Sequence, residues 1–227
     1  MNPPNFTEIW HDLRRRVNSS GLLLAACLVL SGCSPSESEP PPAKPSSVLE
    51  ASPVCPWRDP LADLARLFPP ATNYVLETRI LSEHTAELRR HLGRQMTPDE
   101  NPLRIHRVRH GDQTTGSVLV TRIKAEHGGL ELVTGIASNG LVRGVLIQSQ
   151  REPEAVARVI TGSNFLAAFA GKNAAAAWRI GLDLPEVPPE ARFSAQAIAD
   201  GVRSQLIVLF FANSPPAAPG PNNPTDH

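Results

Sequence analysis

Apolar and polar positions follow their clearest rule over residues 130–149, LELVTGIASNGLVRGVLIQS. Two runs rich in Leu, Val and Ile flank Asn139-Gly140, the dipeptide that most readily takes the positive φ angles of a two-residue type I′ turn, so the stretch predicts a β-hairpin. Leu130, Leu132, Thr134 and Ile136 alternate onto one face of its first strand. In the second, Val142, Gly144 and Leu146 share one face and Val145 and Ile147 the other. A strand apolar on both faces suits the middle of a sheet covered on both sides, and the helices that cover it must come from elsewhere in the chain.

The rest of the pattern supplies them. Asp59-Pro60 is a helix start, with the carboxylate taking free N–H groups and the proline where its missing donor does no harm. Leu61, Leu64, Ala65 and Phe68 then share one helical face, and Pro69-Pro70 ends it. A second helix is predicted over 82–92, with Glu83 in its first turn, Arg89 and Arg90 in its last, Gly93 after it, and Leu81, Leu88 and Leu92 facing inward. Segments 103–108 and 116–123 read as strands, which with the hairpin make a mostly antiparallel sheet of about four strands. Segments 152–160 and 163–170 read as short helices and 178–182 as extended chain. Ser194 reads as the cap of a long last helix striped with Ile198, Val202, Leu206 and Leu209, and the unbroken apolar run 206–211 implies an end buried all round or passing into a strand. The expected fold class is α+β, one domain over 61–212 with helices packed on the sheet.

Composition narrows what such a domain does. The chain has 227 residues, of which 22 are basic and 22 acidic, so no net field recruits a polyanion and nucleic-acid binding is set aside. Its 3 cysteines form no CxxC pair or Cys/His quartet, which argues against structural zinc or a disulfide framework. His106 and His110 are four apart on a predicted strand and turn, where that spacing need not share a face. His84 and His91 are expected on the solvated side of their helix. No nucleophile elbow, P-loop, dinucleotide fingerprint or carboxylate pair points to an independent enzyme.

The beginning of the chain reads as an export signal. Arg14, Arg15 and Arg16 precede GLLLAACLVL over 21–30, too short to span a bilayer but suited to a signal-peptide core. Leu30-Ser31-Gly32-Cys33 follows and resembles a bacterial lipobox, which implies cleavage after residue 32 and lipid on Cys33; the alternative is a secretory signal without lipid. Several acyl chains, at about 0.8 kcal/mol per buried methylene, would hold Cys33 at a membrane with no spanning helix. Ser34 favours the outer membrane, with the domain on the periplasmic side of the envelope. The three arginines also resemble a twin-arginine signal, poorly continued by Val17-Asn18. Residues 33–60, rich in Pro and Ser, read as a tether extending roughly 3 Å per residue. Cys55 there is either an idle thiol or an intermolecular disulfide partner. Residues 213–227 read as a disordered tail.

The order of elements and several short motifs resemble the FMN-binding domain of the C subunit of sodium-pumping NADH:quinone reductases and the G subunit of Rnf complexes. Leu67-Phe68-Pro69-Pro70-Ala71 resembles the LFP-x-A of exported members, GIASNGLVRGVLIQSQRE their strand, turn and strand ending at Glu152, and Phe165, Phe169 and Gly171 their F-x-x-x-F-x-G. The resemblance implies an electron-transfer or accessory role beside a membrane redox complex, with FMN as cofactor. The family's attachment motif, S-G-A-T-x-[ST]-[SA]-x-A-[VI], falls on residues 189–198, PEARFSAQAI. Arg192 replaces the acceptor threonine, and an arginine has no hydroxyl to form the phosphoester. Flavin bound here would therefore be non-covalent, its phosphate held by Arg192 and the helix terminus at Ser194, with Phe193 against a ring and Glu152 completing the site. The alternative is a flavin-free binding or assembly module of an envelope complex that keeps the fold.

Overall fold

A computed structural model describes residues 59–69, 71 and 73–214, all within one compact unit. The signal, Cys33, the tether through residue 58, Cys55 and the tail from 215 lie outside the described residues. In chain order the elements are α1 (Leu61–Leu67), β1 (Asn73–Arg79), a 3₁₀ turn (Ser82–His84), α2 (Thr85–Leu92), β2 (Leu103–His110), β3 (Gln113–Lys124), β4 (Gly129–Ala137), β5 (Val142–Ser149), α3 (Glu154–Ile160), α4 (Ser163–Ala167), a second 3₁₀ turn (Pro189–Ala191) and α5 (Arg192–Asn213). The five strands form one antiparallel meander in the order β1-β2-β3-β4-β5. This is the expected α+β class, with one strand more than the pattern predicted.

Helices cover both faces, as the hairpin required. On one face α1 and the residues after it place Leu64, Leu67, Phe68 and Ala71 against Val108, Val118 and Val133. On the other lies α5, whose Ile198, Val202, Ile207 and Val208 are wholly buried; each contributes roughly 1.5–3 kcal/mol through area removed from water. The run 206–211 stays helical because sheet and α2 enclose it. By length and composition α5 would also suffice to cross a membrane, but most of it is buried as the core helix of this unit.

Several local expectations are corrected. The strand buried on both faces is β4, while β5, expected to be the central one, is an edge whose beginning is closed by main-chain bonds from Gly171 N–H to Val142 C=O and from Val142 N–H to Lys172 C=O, both 2.8 Å. The β4–β5 turn is not type I′: Gly140 alone is left-handed, at φ 80°, and its N–H bonds the C=O of Ala137 around Ser138-Asn139. That is the tight turn closed by a left-handed glycine, and a separate one-residue shift of register follows at Arg143, opposite Gly135 and Ile136. Leu61 faces solvent, because α1 begins after Pro60 and the Asp59 carboxylate accepts from Leu61 N–H at 2.9 Å. Gly93, at φ 71°, ends α2 as expected. His84 and His91 are not solvated: both rings lie against Phe211 of α5, at 5.4 and 5.6 Å between centroids. Segment 178–182 is a tight turn rather than extended chain, with Trp178 at φ 57°.

Candidate functional site

An antiparallel meander puts the β3–β4 turn and the exit of β5 at the same end of the sheet, and the first turn of α5 arrives there too. Glu152, just beyond β5, is buried at this junction. Its Oε1 accepts from His127 N–H at 3.0 Å and its Oε2 pairs with His127 Nδ1 at 2.7 Å. Ser194 is wholly buried beside it: its Oγ accepts from Glu126 N–H at 3.1 Å, and its hydroxyl helps to favour the charged form of Glu152. One carboxylate therefore ties three separate segments together.

Burial by itself would raise the Glu152 carboxyl, but the His127 N–H, the His127 ring and the Ser194 hydroxyl outweigh it and hold the group below the usual carboxylate range. A carboxylate depressed in the folded state stabilises the fold above its unfolded value and loses that contribution as pH falls through the folded one. Glu152→Gln is accordingly expected to cost about 2 kcal/mol at neutral pH, the scale of a lost charged hydrogen bond. The gap from wild type should shrink below about pH 4, where the native carboxyl also protonates. Urea unfolding of both proteins across that range checks this, and a gap independent of pH would contradict it.

The sequence-predicted residues divide. Glu152 and Ser194 are brought together, whereas Arg192 and Phe193 face outward from the same helical turn. The Arg192 guanidinium pairs with Glu186, and Phe193 is more than half exposed. Ser194 is not a cap: α5 begins at Arg192, continuing the 3₁₀ turn, so Ser194 is the third residue of its first turn. His127 was not legible as a site residue, since 25 positions separate it from Glu152; its signal was the turn placement that any β3–β4 hairpin dictates.

Three features decide whether these residues fit a flavin phosphate. Pro188 and Pro189 carry no N–H, and two of the next three donors are spent within the turn, Ala191 N–H on Pro188 C=O and Arg192 N–H on Pro189 C=O. The neighbouring groove of about 330 Å³, between α4 and residues 185–187, has the Glu186 carboxylate in its wall. Ser194 is already turned inward, accepting from Glu126 N–H beside the Glu152 carboxylate. As arranged, the four residues do not make a phosphate cradle.

Nor do they make a hydrolytic site. Glu152 orients the His127 ring as a base would be oriented, but the Ser194 hydroxyl lies on the carboxylate side of that pair and is closed to solvent. Among the described residues no group of three or more His, Cys, Asp and Glu would hold a metal ion. His106 is buried, bonded at 3.3 Å to Val118 C=O and edge-on to Tyr74, while His110 is exposed. No protein-family model matches the chain, and no curated protein matches it.

Proposed function

We propose that the chain is a flavin-free binding or assembly module of a bacterial envelope complex, held at the membrane through lipidated Cys33. The observation that carries the reading is the engagement of the would-be flavin residues inside the protein: Arg192 with Glu186, Ser194 with Glu126, and Glu152 with His127. A cofactor site preorganised for phosphate keeps donors free, and these are occupied. The competing reading, a non-covalent flavin carrier beside a membrane redox complex, requires Arg192 to leave Glu186 and Ser194 to leave Glu126.

Titration of the purified chain with FMN separates the two. The expected result is no saturable quenching of flavin fluorescence into the high micromolar range. Saturable quenching that Arg192→Ala weakens would overturn the proposal in favour of the carrier, and flavin that stays attached after denaturation would overturn it through an acceptor hydroxyl elsewhere.

A further inference from the structure

The two edges of the sheet differ in kind. The β5 edge is closed at its start by the backbone of residues 171 and 172 and flanked by α1 and α4. Among the described residues the β1 edge pairs only with β2, and Val75, Leu76 and Ile80 along it are 48%, 50% and 75% exposed. An edge strand with half-exposed apolar side chains, no proline or bulge within its seven residues and no covering loop among the described residues is a template for another strand.

Charge says which kind. Strands β1 and β2 carry Arg79, Arg104, Arg107 and Arg109 against one acid, Glu77. Glu77 is already committed, at 2.5 Å to Arg79 and 2.6 Å to Arg107, and Arg107 also reaches Ser117 and Asn213. Arg109 differs: it makes no ion pair among the described residues, and its Nε is buried with no hydrogen-bond partner. It lines a groove of about 410 Å³ with Val75, Leu76, Glu77, Arg107 and Thr114. A buried guanidinium nitrogen without an acceptor is costly, and a carboxylate is the ligand that matches it.

The geometry points to β1 as a docking edge for an extended, acidic segment of a partner protein, which adds a sixth strand and sets a carboxylate on Arg109. Backbone bonds to β1 supply affinity, Val75 and Leu76 the apolar contact, and Arg109 the selection for Glu or Asp. A second copy of this chain is the poorer occupant, because edge-to-edge pairing would bring two sets of unneutralised arginines together. The inference rests on the binding-module reading above and gives that partner a chemistry.

The probe is a blocked eight-residue peptide alternating Val and Thr with one central Glu, beside its Gln counterpart, each titrated into the full chain. The Glu peptide is expected to bind at least about tenfold more tightly, the fold-change of one charge-assisted bond. Arg109→Gln should erase the difference while leaving thermal stability near wild type, and bound peptide should slow hydrogen exchange at β1 amides. Equal binding of the two peptides, discrimination that survives Arg109→Gln, or no binding of either would overturn the docking edge. A concentration-dependent dimer lost on Val75→Lys would overturn it in favour of self-pairing. The FMN titration decides the underlying reading separately, so a failed edge and a failed binding module give different results.

Discussion

Gly116→Ala is expected to destabilise the domain by about 3 kcal/mol, the upper end of what an added methyl does in a filled core. A Cβ at this position would sit 2.4 Å from Phe68 Cε1 and 2.6 Å from the C=O oxygen of Ile136. The ring has some freedom to turn away, but the carbonyl belongs to the β3–β4 ladder and does not. Ordinary propensity argues the opposite sign, since replacing glycine in a strand should gain on the order of 0.5–1 kcal/mol. A measured loss would therefore report the collision alone. Gly135 and Gly144, paired across β4 and β5, are the graded controls, because their added methyls meet Phe68 and Leu67 side chains at 3.0 Å and no backbone. Alanine there should cost clearly less in the same chemical unfolding experiment. If Gly116→Ala matched those two, the backbone contact would not be the cause. Phe68→Ala combined with Gly116→Ala should cost less than the sum of the two, since one obstacle is removed and the other stays.

The three glycines make a trough in the sheet, and the segment beginning Leu67-Phe68 lies in it. Arg143 Nε donates to Leu67 C=O at 2.5 Å, and its guanidinium stands 5.1 Å from the centre of the Phe68 ring. Two stretches singled out separately in the sequence, the end of the first helix and the central hairpin, thus form one packed unit.

How much was legible follows from what each segment's pattern depends on. The hairpin and the helix ending at Gly93 were readable from their punctuation, the turn at Asn139-Gly140 and the left-handed Gly93, and the stripe along α5 from apolar positions that repeat with the helical period. Strand β1 was not, since NYVLETR is an edge strand exposed along most of its length and owes its conformation to pairing with β2. Ser194 looked like a cap because serine before a helical stripe usually is one. What it does instead, accepting from Glu126 N–H and favouring the charged form of Glu152, depends on segments 42 to 68 positions away whose arrival only the fold determines. The same limit hid His127. It also hid the pairing of Arg192 with Glu186, where an arginine in a loop reads equally well as a phosphate ligand or as half of a surface ion pair.

Trp178→Ala carries the largest expected loss, about 4 kcal/mol from the cavity left by a fully buried indole. For a domain of this size that lowers Tm by roughly 10 °C. The indole packs 6.1 Å from Phe169, which stacks edge-on with Phe165, and its Nε1 donates to Asn173 C=O at 3.0 Å. Its backbone is held as firmly: Asp183 accepts from the N–H of Trp178 and of Arg179, both at 2.8 Å, and Gln196 of α5 donates to Trp178 C=O at 2.9 Å. All this maintains a left-handed conformation, φ 57°, that costs a side-chain-bearing residue about 1–2 kcal/mol and glycine almost nothing. Two variants separate packing from strain. Both lose the indole, so Trp178→Gly should be at least as stable as Trp178→Ala, reversing the usual penalty for glycine. A glycine variant less stable than alanine by about 1 kcal/mol would mean that the turn relaxes to an ordinary conformation once the ring is gone, and that the indole, not Asp183 and Gln196, holds the backbone left-handed.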